Sequence, residues 1–214
     1  MKLKPKMLMG IGIPLIIVFI VMGIIIYMMA GSALRDGVDV SMEERGSHYA
    51  TRLDGNLREE ITMMQTIVMN WSEVMPGEEA LAQAIDHIAA RHGVRTAAFG
   101  RPDGSYVASI PLPAGWDPRT RPWYKEASSS DGLHISDVYE EPNTHENVVT
   151  FSQAIYKDGA LAGVLAVDIS VSDMTEALQN VKVGEHGSIC VLGPKGEFIY
   201  HKKFKLSDPP LSEM

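Results

Sequence analysis

The apolar residues along this chain change their spacing in steps, and each step predicts a different element. Residues 7–30, MLMGIGIPLIIVFIVMGIIIYMMA, carry no charged side chain. As a helix this run measures about 36 Å, enough to cross a roughly 30 Å hydrocarbon core with some tilt. From Ser41 to Val74 the period becomes helical and amphipathic. Leu53, Leu57, Ile61, Met64, Val68 and Trp71 recur at spacings of four and three, one apolar stripe on a long helix. Such a stripe fits packing on its own domain or pairing with a second copy. PGEE at 76–79 then opens a second helix, with Leu81, Ile85 and Ile88 on one face and a stop before Gly93.

After Gly93 the period shortens to two. TAAFGRPDGSYVASI reads as strand, turn and strand, with Pro102-Asp103-Gly104 as the turn. ISDVYE, NVVTFSQAIY and LAGVLAVDI are further strands, and Lys157-Asp158-Gly159 is the hairpin turn between the last two. DMTEALQNV follows Ser170 and Ser172, both suitable N-caps, and predicts a helix. Helices followed by a meander of strands with one helix near its middle predict an α+β fold built on an antiparallel sheet. A faint repeat is also present: AAFGRPDGSYVAS (97–109) lies over ICVLGPKGEFIYH (189–201) when Gly104 is aligned with Gly196. A second module would then begin near Gly187 and reach Met214 before its sheet is complete, so the chain reads as a fragment or as a protein that stops early.

Charge places the apolar run. Lys2, Lys4 and Lys6 precede it, which predicts a cytoplasmic N-terminus and an exported body. An uncleaved anchor is preferred to a signal peptide, because the usual apolar core of a signal peptide is only about 7–15 residues. The formal charge is −8, and without those three lysines it is −11, from 16 basic and 27 acidic residues. A polyanionic body repels phosphates, so no nucleic-acid partner is expected. The single cysteine, Cys190, is expected to be a small buried apolar residue. No His-Glu-x-x-His, Gly-x-Ser-x-Gly, Cys-rich metal spacing or phosphate-cradling loop is present, so neither an enzyme nor a cofactor is expected. His145-Glu146 in NTHEN reads as a solvated loop.

The densest candidate chemistry is DPRTRPWYKEA, residues 117–127. Pro122 suits the first position of a short helix, which sets Arg121 at the helix start and Trp123 and Tyr124 in the first turn. A helix N-terminus, a guanidinium fork and aromatic walls together suit a small anionic group such as a carboxylate. The bland alternative is that Arg119 or Arg121 pairs with a neighbouring acid and Trp123 is core. In LAGVLAVDIS, alternation puts Val164, Ala166 and Asp168 on one face and Leu165, Val167 and Ile169 on the other. If the second set is core, Asp168 projects from the opposite face and can receive an ammonium group. Arg121 and Asp168 would then read both ends of an α-amino acid.

At these residues the sequence resembles the double Cache sensor domains of bacterial chemoreceptors and sensor kinases. The resemblance runs from the anchor and long helix through DGSYVAS, DPRTRPWYKEA, SDVYEE and VVTFSQAIYKDGALAGVLAVDIS to GSICVLGPKGEFIYH. It implies an N-terminal transmembrane helix (7–30) after a cytoplasmic stretch (1–6), and a stalk helix (31–75). It further implies a membrane-distal Cache module with a PAS-like antiparallel sheet (76–182) and the start of a membrane-proximal module (183–214). In the amino-acid-binding branch of that family, the Arg-x-Trp-Tyr cluster grips the ligand carboxylate and a later Asp takes the amine. Those roles fall here on Arg121, Trp123, Tyr124 and Asp168, with Tyr139 as a further pocket aromatic. Trp116 stands where that branch favours Tyr, and Glu141 where Asp is frequent. These departures leave an amine or another small metabolite as alternatives to an amino acid. The resemblance also implies a homodimer through the long helix and a bacterial inner-membrane location. The output it implies is a chemoreceptor, with a kinase, a cyclic-nucleotide enzyme or a ligand-free scaffold as the other readings.

Overall fold

Helix α1 runs from Leu3 to Glu73 in a computed structural model, which describes residues 3–142, 144–181, 183 and 187–213. Side chains at 3–20 and 30–40 lie outside that description. The chain divides into two compact units, Met1–Arg52 and Leu53–Met214. In the first, the aliphatic and methionine side chains between Val21 and Met29 are exposed. Among the described residues no helix is long and apolar enough to cross a membrane. The predicted span at 7–30 falls mostly on residues whose side chains are outside the description.

In the second unit, the last stretch of α1, Leu53 to Glu73, is followed by α2 (Glu78–Ala89), β1 (Val94–Gly100) and β2 (Tyr106–Ala108). A 3₁₀ turn (Pro118–Thr120) leads into α3 (Pro122–Ser129), then the short β3 (His134–Ile135) and β4 (Tyr139–Glu140). Two eleven-residue strands, β5 (Asn147–Lys157) and β6 (Ala160–Ser170), form the centre. Their connection is the two-residue turn Asp158-Gly159, both at positive φ, the geometry that matches strand twist. Then come α4 (Val171–Met174), α5 (Glu176–Gln179) and a separate hairpin, β7 (Val191–Leu192) with β8 (Phe198–Tyr200).

The main sheet is antiparallel, in the order β2-β1-β6-β5-β3, with β4 also paired to β5. It is not a simple meander: β1 has its hairpin partner β2 on one side and the distant β6 on the other. One face is covered by α2 and the end of α1. Phe99, Phe151, Leu165 and Val167 project there and are fully buried, with Leu81 and Ile85 from α2 and Met64 from α1. Trp71 meets Phe99 edge to face, ring centroids 5.8 Å apart. The apolar stripe from Leu57 to Trp71 is therefore packed on this chain's own sheet.

Three sequence expectations differ from the structure. ISDVYE is two short strands rather than one, because Ser136 Oγ accepts the Thr150 N–H and interrupts the ladder. The helix after β6 begins at Val171, capped by Ser170 Oγ, and breaks at Thr175, whose hydroxyl donates to the Val171 carbonyl at 2.7 Å. Cys190 is exposed, not buried, because it precedes a two-stranded hairpin outside the main sheet. The faint repeat has a local counterpart. Arg101 N–H donates to Ser105 O and Gly104 N–H to Arg101 O; Gly193 N–H donates to Glu197 O and Gly196 N–H to Gly193 O. The two turns match in these backbone bonds.

Candidate ligand-binding site

The second face of the sheet carries a cavity of about 730 Å³. Its floor follows from the strand register. Ala108, Ala98, Ala166 and Ser152 lie side by side across β2, β1, β6 and β5. The next row toward β4 is Thr96, Asp168 and Thr150. Small side chains in the first row leave room above the sheet, and hydroxyls in the second flank a carboxylate.

Asp168 is partly buried and accepts hydrogen bonds on both oxygens. Thr96 Oγ1 donates to Oδ2 at 2.5 Å and Thr150 Oγ1 to Oδ1 at 2.7 Å. Tyr139 Oη stands 2.8 Å from Thr150 Oγ1 and 3.4 Å from Asp168 Oδ1. Burial raises the Asp168 carboxyl above its ordinary value, against the lowering effect of the hydroxyl donors; the nearby Glu141 charge adds to the rise. Burial likewise raises the Tyr139 phenol, with the Asp168 charge as the second cause. No cation among the described residues pairs with Asp168.

The opposite pole is built by the segment before α3. The two arginines of DPRTRP separate here. Arg119 binds Asp117 through Nε and Nη2 and donates from Nη1 to the Pro102 carbonyl at 3.3 Å. Its guanidinium lies against Gly104, whose φ is +91 and where an added Cβ would stand 2.8 Å from Nη2. The preceding Pro118 is buried on Gly100, where an added Cβ would come within 2.5 Å of the proline ring. Two glycines of the β1–β2 hairpin thus cradle the 3₁₀ turn, and the turn delivers Arg121. From the other side, Ser152 Oγ donates to the Trp123 carbonyl at 3.1 Å.

Arg121 has no acidic partner among the described residues. Its Nε is buried and finds no acceptor there, and its guanidinium carbon lies 5.3 Å from the centroid of the Trp116 ring. A buried donor left without an acceptor costs about 1–3 kcal/mol, a cost that an acceptor entering the cavity would relieve. Arg121, Trp116, Trp123, Tyr139, Glu141 and Asp168 all line the one cavity. Tyr124 does not: it is buried behind Trp123, ring centroids 5.8 Å apart, with Ala127, Ala154 and Val164. Glu141 accepts the Thr144 N–H at 2.6 Å and so shapes its own loop as well as the cavity. Sequence reasoning missed Thr96 and Thr150. Nothing in their local sequence marks them, since only the register brings both beside Asp168.

A sheet with helices on one face and a cavity of about 730 Å³ lined by charged and aromatic groups on the other is an architecture suited to holding a small molecule. The dCache_1 profile, a Cache domain, matches residues 30–213, and the chain belongs to that family. The resemblance to double Cache sensor domains is thereby confirmed. Among curated relatives, methyl-accepting chemotaxis protein McpB of Bacillus subtilis is 31% identical over 134 residues, 61% of this chain and 20% of that protein. PctB of Pseudomonas aeruginosa, also a methyl-accepting chemotaxis protein, is 31% identical over 105 residues, 48% of this chain and 17% of that one. The chain spans about a fifth or less of the length of these two relatives. The ligand-binding domain of the Pseudomonas fluorescens chemoreceptor CtaA, solved with L-serine, has a TM-score of 0.71 at 24% identity, covering 84% of this chain and 78% of that one. That of the Pseudomonas aeruginosa chemoreceptor PctC, solved with GABA, has a TM-score of 0.68 at 22% identity, covering 76% and 74%. At these identities the likeness establishes the fold.

Proposed function

We propose that this chain is the input domain of a chemoreceptor and binds a small amino-bearing carboxylate, an α-amino acid first of all, between Arg121 and Asp168. One observation carries the reading: among the described residues, an arginine without an acid and an aspartate without a cation line the same cavity. Arg121 takes the carboxylate through its planar fork, with Trp116 and Trp123 excluding water. Asp168 takes the ammonium, its position fixed by the Thr96 and Thr150 hydroxyls. Tyr139 supports that pole through Thr150, and Tyr124 supports Trp123 from behind. The amino acid and GABA in the fold neighbours, and the chemotaxis role of the relatives, agree with this reading.

The exposed apolar side chains between Val21 and Met29, together with the N-terminal lysines, support an inner-membrane anchor with the body outside the cytoplasm. A homodimer through α1 belongs to the same proposal, as does transmission of binding along that helix by a shift between two arrangements. One specific observation favours an amine as the second reading. Besides Arg121, the cavity lining carries Glu126, Glu141 and Asp168, and a fourth carboxylate, Asp137, that pairs with Lys195 at 3.0 Å.

Calorimetry on the full chain in detergent micelles, with glycine, leucine, lysine, GABA and butylamine, tests the clamp. Ligands bearing both groups are expected to bind, and Arg121→Ala to abolish their heat while the thermal unfolding midpoint holds. Butylamine binding more tightly than any amino acid would move the assignment to the amine reading. Unchanged amino-acid affinity in Arg121→Ala would remove the carboxylate role.

A further inference from the structure

Arg121 and Asp168 line one cavity, and the strand order sets what flanks it on each side. Toward β3 the lining is mixed, with Ile135 set among the polar His134, Ser136 and Asp137. Toward β2 it is apolar: Ala108 at the floor, then Ile110 and Leu112 from the segment after β2, and Trp116 beyond. Ser109 N–H donates to the Ala97 carbonyl at 2.9 Å, which extends the pairing past Ala108 and holds Ile110 near the row of Thr96 and Asp168. Ile110 and Leu112 are partly exposed and belong to neither buried cluster of the protein. Two aliphatic side chains therefore face the cavity without packing on a core. Trp116, in contrast, is fixed, edge to face on Tyr106 at 4.6 Å and beside the Arg121 guanidinium.

From this asymmetry we infer that the ligand is an α-amino acid with a bulky apolar side chain, which lies over Ala108 against Ile110, Leu112 and Trp116. The inference rests on the Arg121–Asp168 clamp and adds the ligand's third group. The cavity, about 730 Å³, is within the roughly 300–1,000 Å³ that holds ligands far larger than glycine or alanine. Without a side chain on the ligand, the β2 side of the cavity would leave Ile110 and Leu112 against water. With one, their apolar surface is buried by the ligand and the clamp geometry is unchanged.

Calorimetry with leucine, glycine and lysine on the full chain, with two variants, tests this. The wild-type chain is expected to bind leucine at least about tenfold more tightly than glycine or lysine, since even one methylene in an apolar pocket discriminates by about 10–200-fold. Combining Ile110→Ser with Leu112→Ser removes the wall outside both cores, so the fold is retained. It should cost leucine about tenfold or more and leave glycine within about twofold. Ala108→Leu, which fills the same space, should also weaken leucine and spare glycine. Equal losses for leucine and glycine, or lysine preferred to leucine, would overturn the side-chain assignment while leaving the clamp in place. Loss of every amino acid's binding in the wild-type chain would instead overturn the clamp, and with it this inference.

Discussion

The two faces of the central sheet are made by the same three strands and differ at every alternate residue. On β1, Phe99 is fully buried under α1 and α2 while its neighbour Ala98 lines the cavity. On β6, Leu165 and Val167 are core, and Ala166 and Asp168 face the opposite way. On β5, Phe151 is core, and Thr150 and Ser152 are buried polar groups whose hydroxyls bond to Asp168 and to the Trp123 carbonyl. The helix face holds the protein together by volume and apolar area. The cavity face carries small side chains and hydrogen-bonded polar groups instead, which leave space above the sheet. Strand alternation keeps the two apart, so the Asp168 carboxylate sits one residue away from the buried Val167 and Ile169.

Substitutions that break this division rank by which face they touch. Phe99→Ala should have the largest effect, a loss of about 3–5 kcal/mol of unfolding free energy in urea titration. Ala98→Ser beside it should stay within about 0.5 kcal/mol, and a cost similar to that of Phe99→Ala would end the contrast. Arg121→Ala should leave the urea midpoint in place yet weaken a carboxylate-bearing ligand by about 2–5 kcal/mol, measured by calorimetry.

Gly100→Ala sharpens the comparison, because Gly100 lies under the segment that presents Arg121. An added methyl meets Pro118, so it should cost about 1–3 kcal/mol of stability and weaken ligand binding together. Full-strength binding in a destabilised Gly100→Ala would show that the hairpin does not set the arginine's position.

The smallest effect concerns protonation. Burial raises the Asp168 carboxyl in the fold, so its contribution to stability is fully present below the ordinary aspartate range and is lost as pH rises through the raised value. Asp168→Asn should therefore stabilise the ligand-free protein at neutral pH and leave it unchanged in acid. Binding runs the other way: affinity for an ammonium-bearing ligand should fall as pH drops through that raised value, and the Asn variant should bind weakly with a flat pH profile. Urea titration and calorimetry over the same pH series check both limbs.

Much of this was legible before any coordinates. Alternation in LAGVLAVDIS separated Asp168 from Leu165, Val167 and Ile169, and the face assignment holds because the flanking strands bury both sides. Pro122 marked the start of α3, and the stripe on α1 marked the helix that covers the core. Other features escaped. Arg119 and Arg121 look equivalent in DPRTRP, and only the fold gives Asp117 and the Pro102 carbonyl to the first and neither to the second. Cys190 resembles a core residue by type, but it is exposed beside a two-stranded hairpin separate from the main sheet.

By itself the sequence determined what repeats locally: helix and strand periods, turn chemistry, charge distribution and the split of each strand into two faces. These follow from short-range sterics and from burial of a periodic apolar stripe. Tertiary structure alone decided the rest, by pairing β6 with both β1 and β5. That pairing sets Thr96 and Thr150 beside Asp168 and brings Ala98 and Ala166 into one floor. It also places Arg121 over the same cavity as a carboxylate far along the chain. Register between distant strands is fixed by the packing of the whole core, which no local window of residues contains.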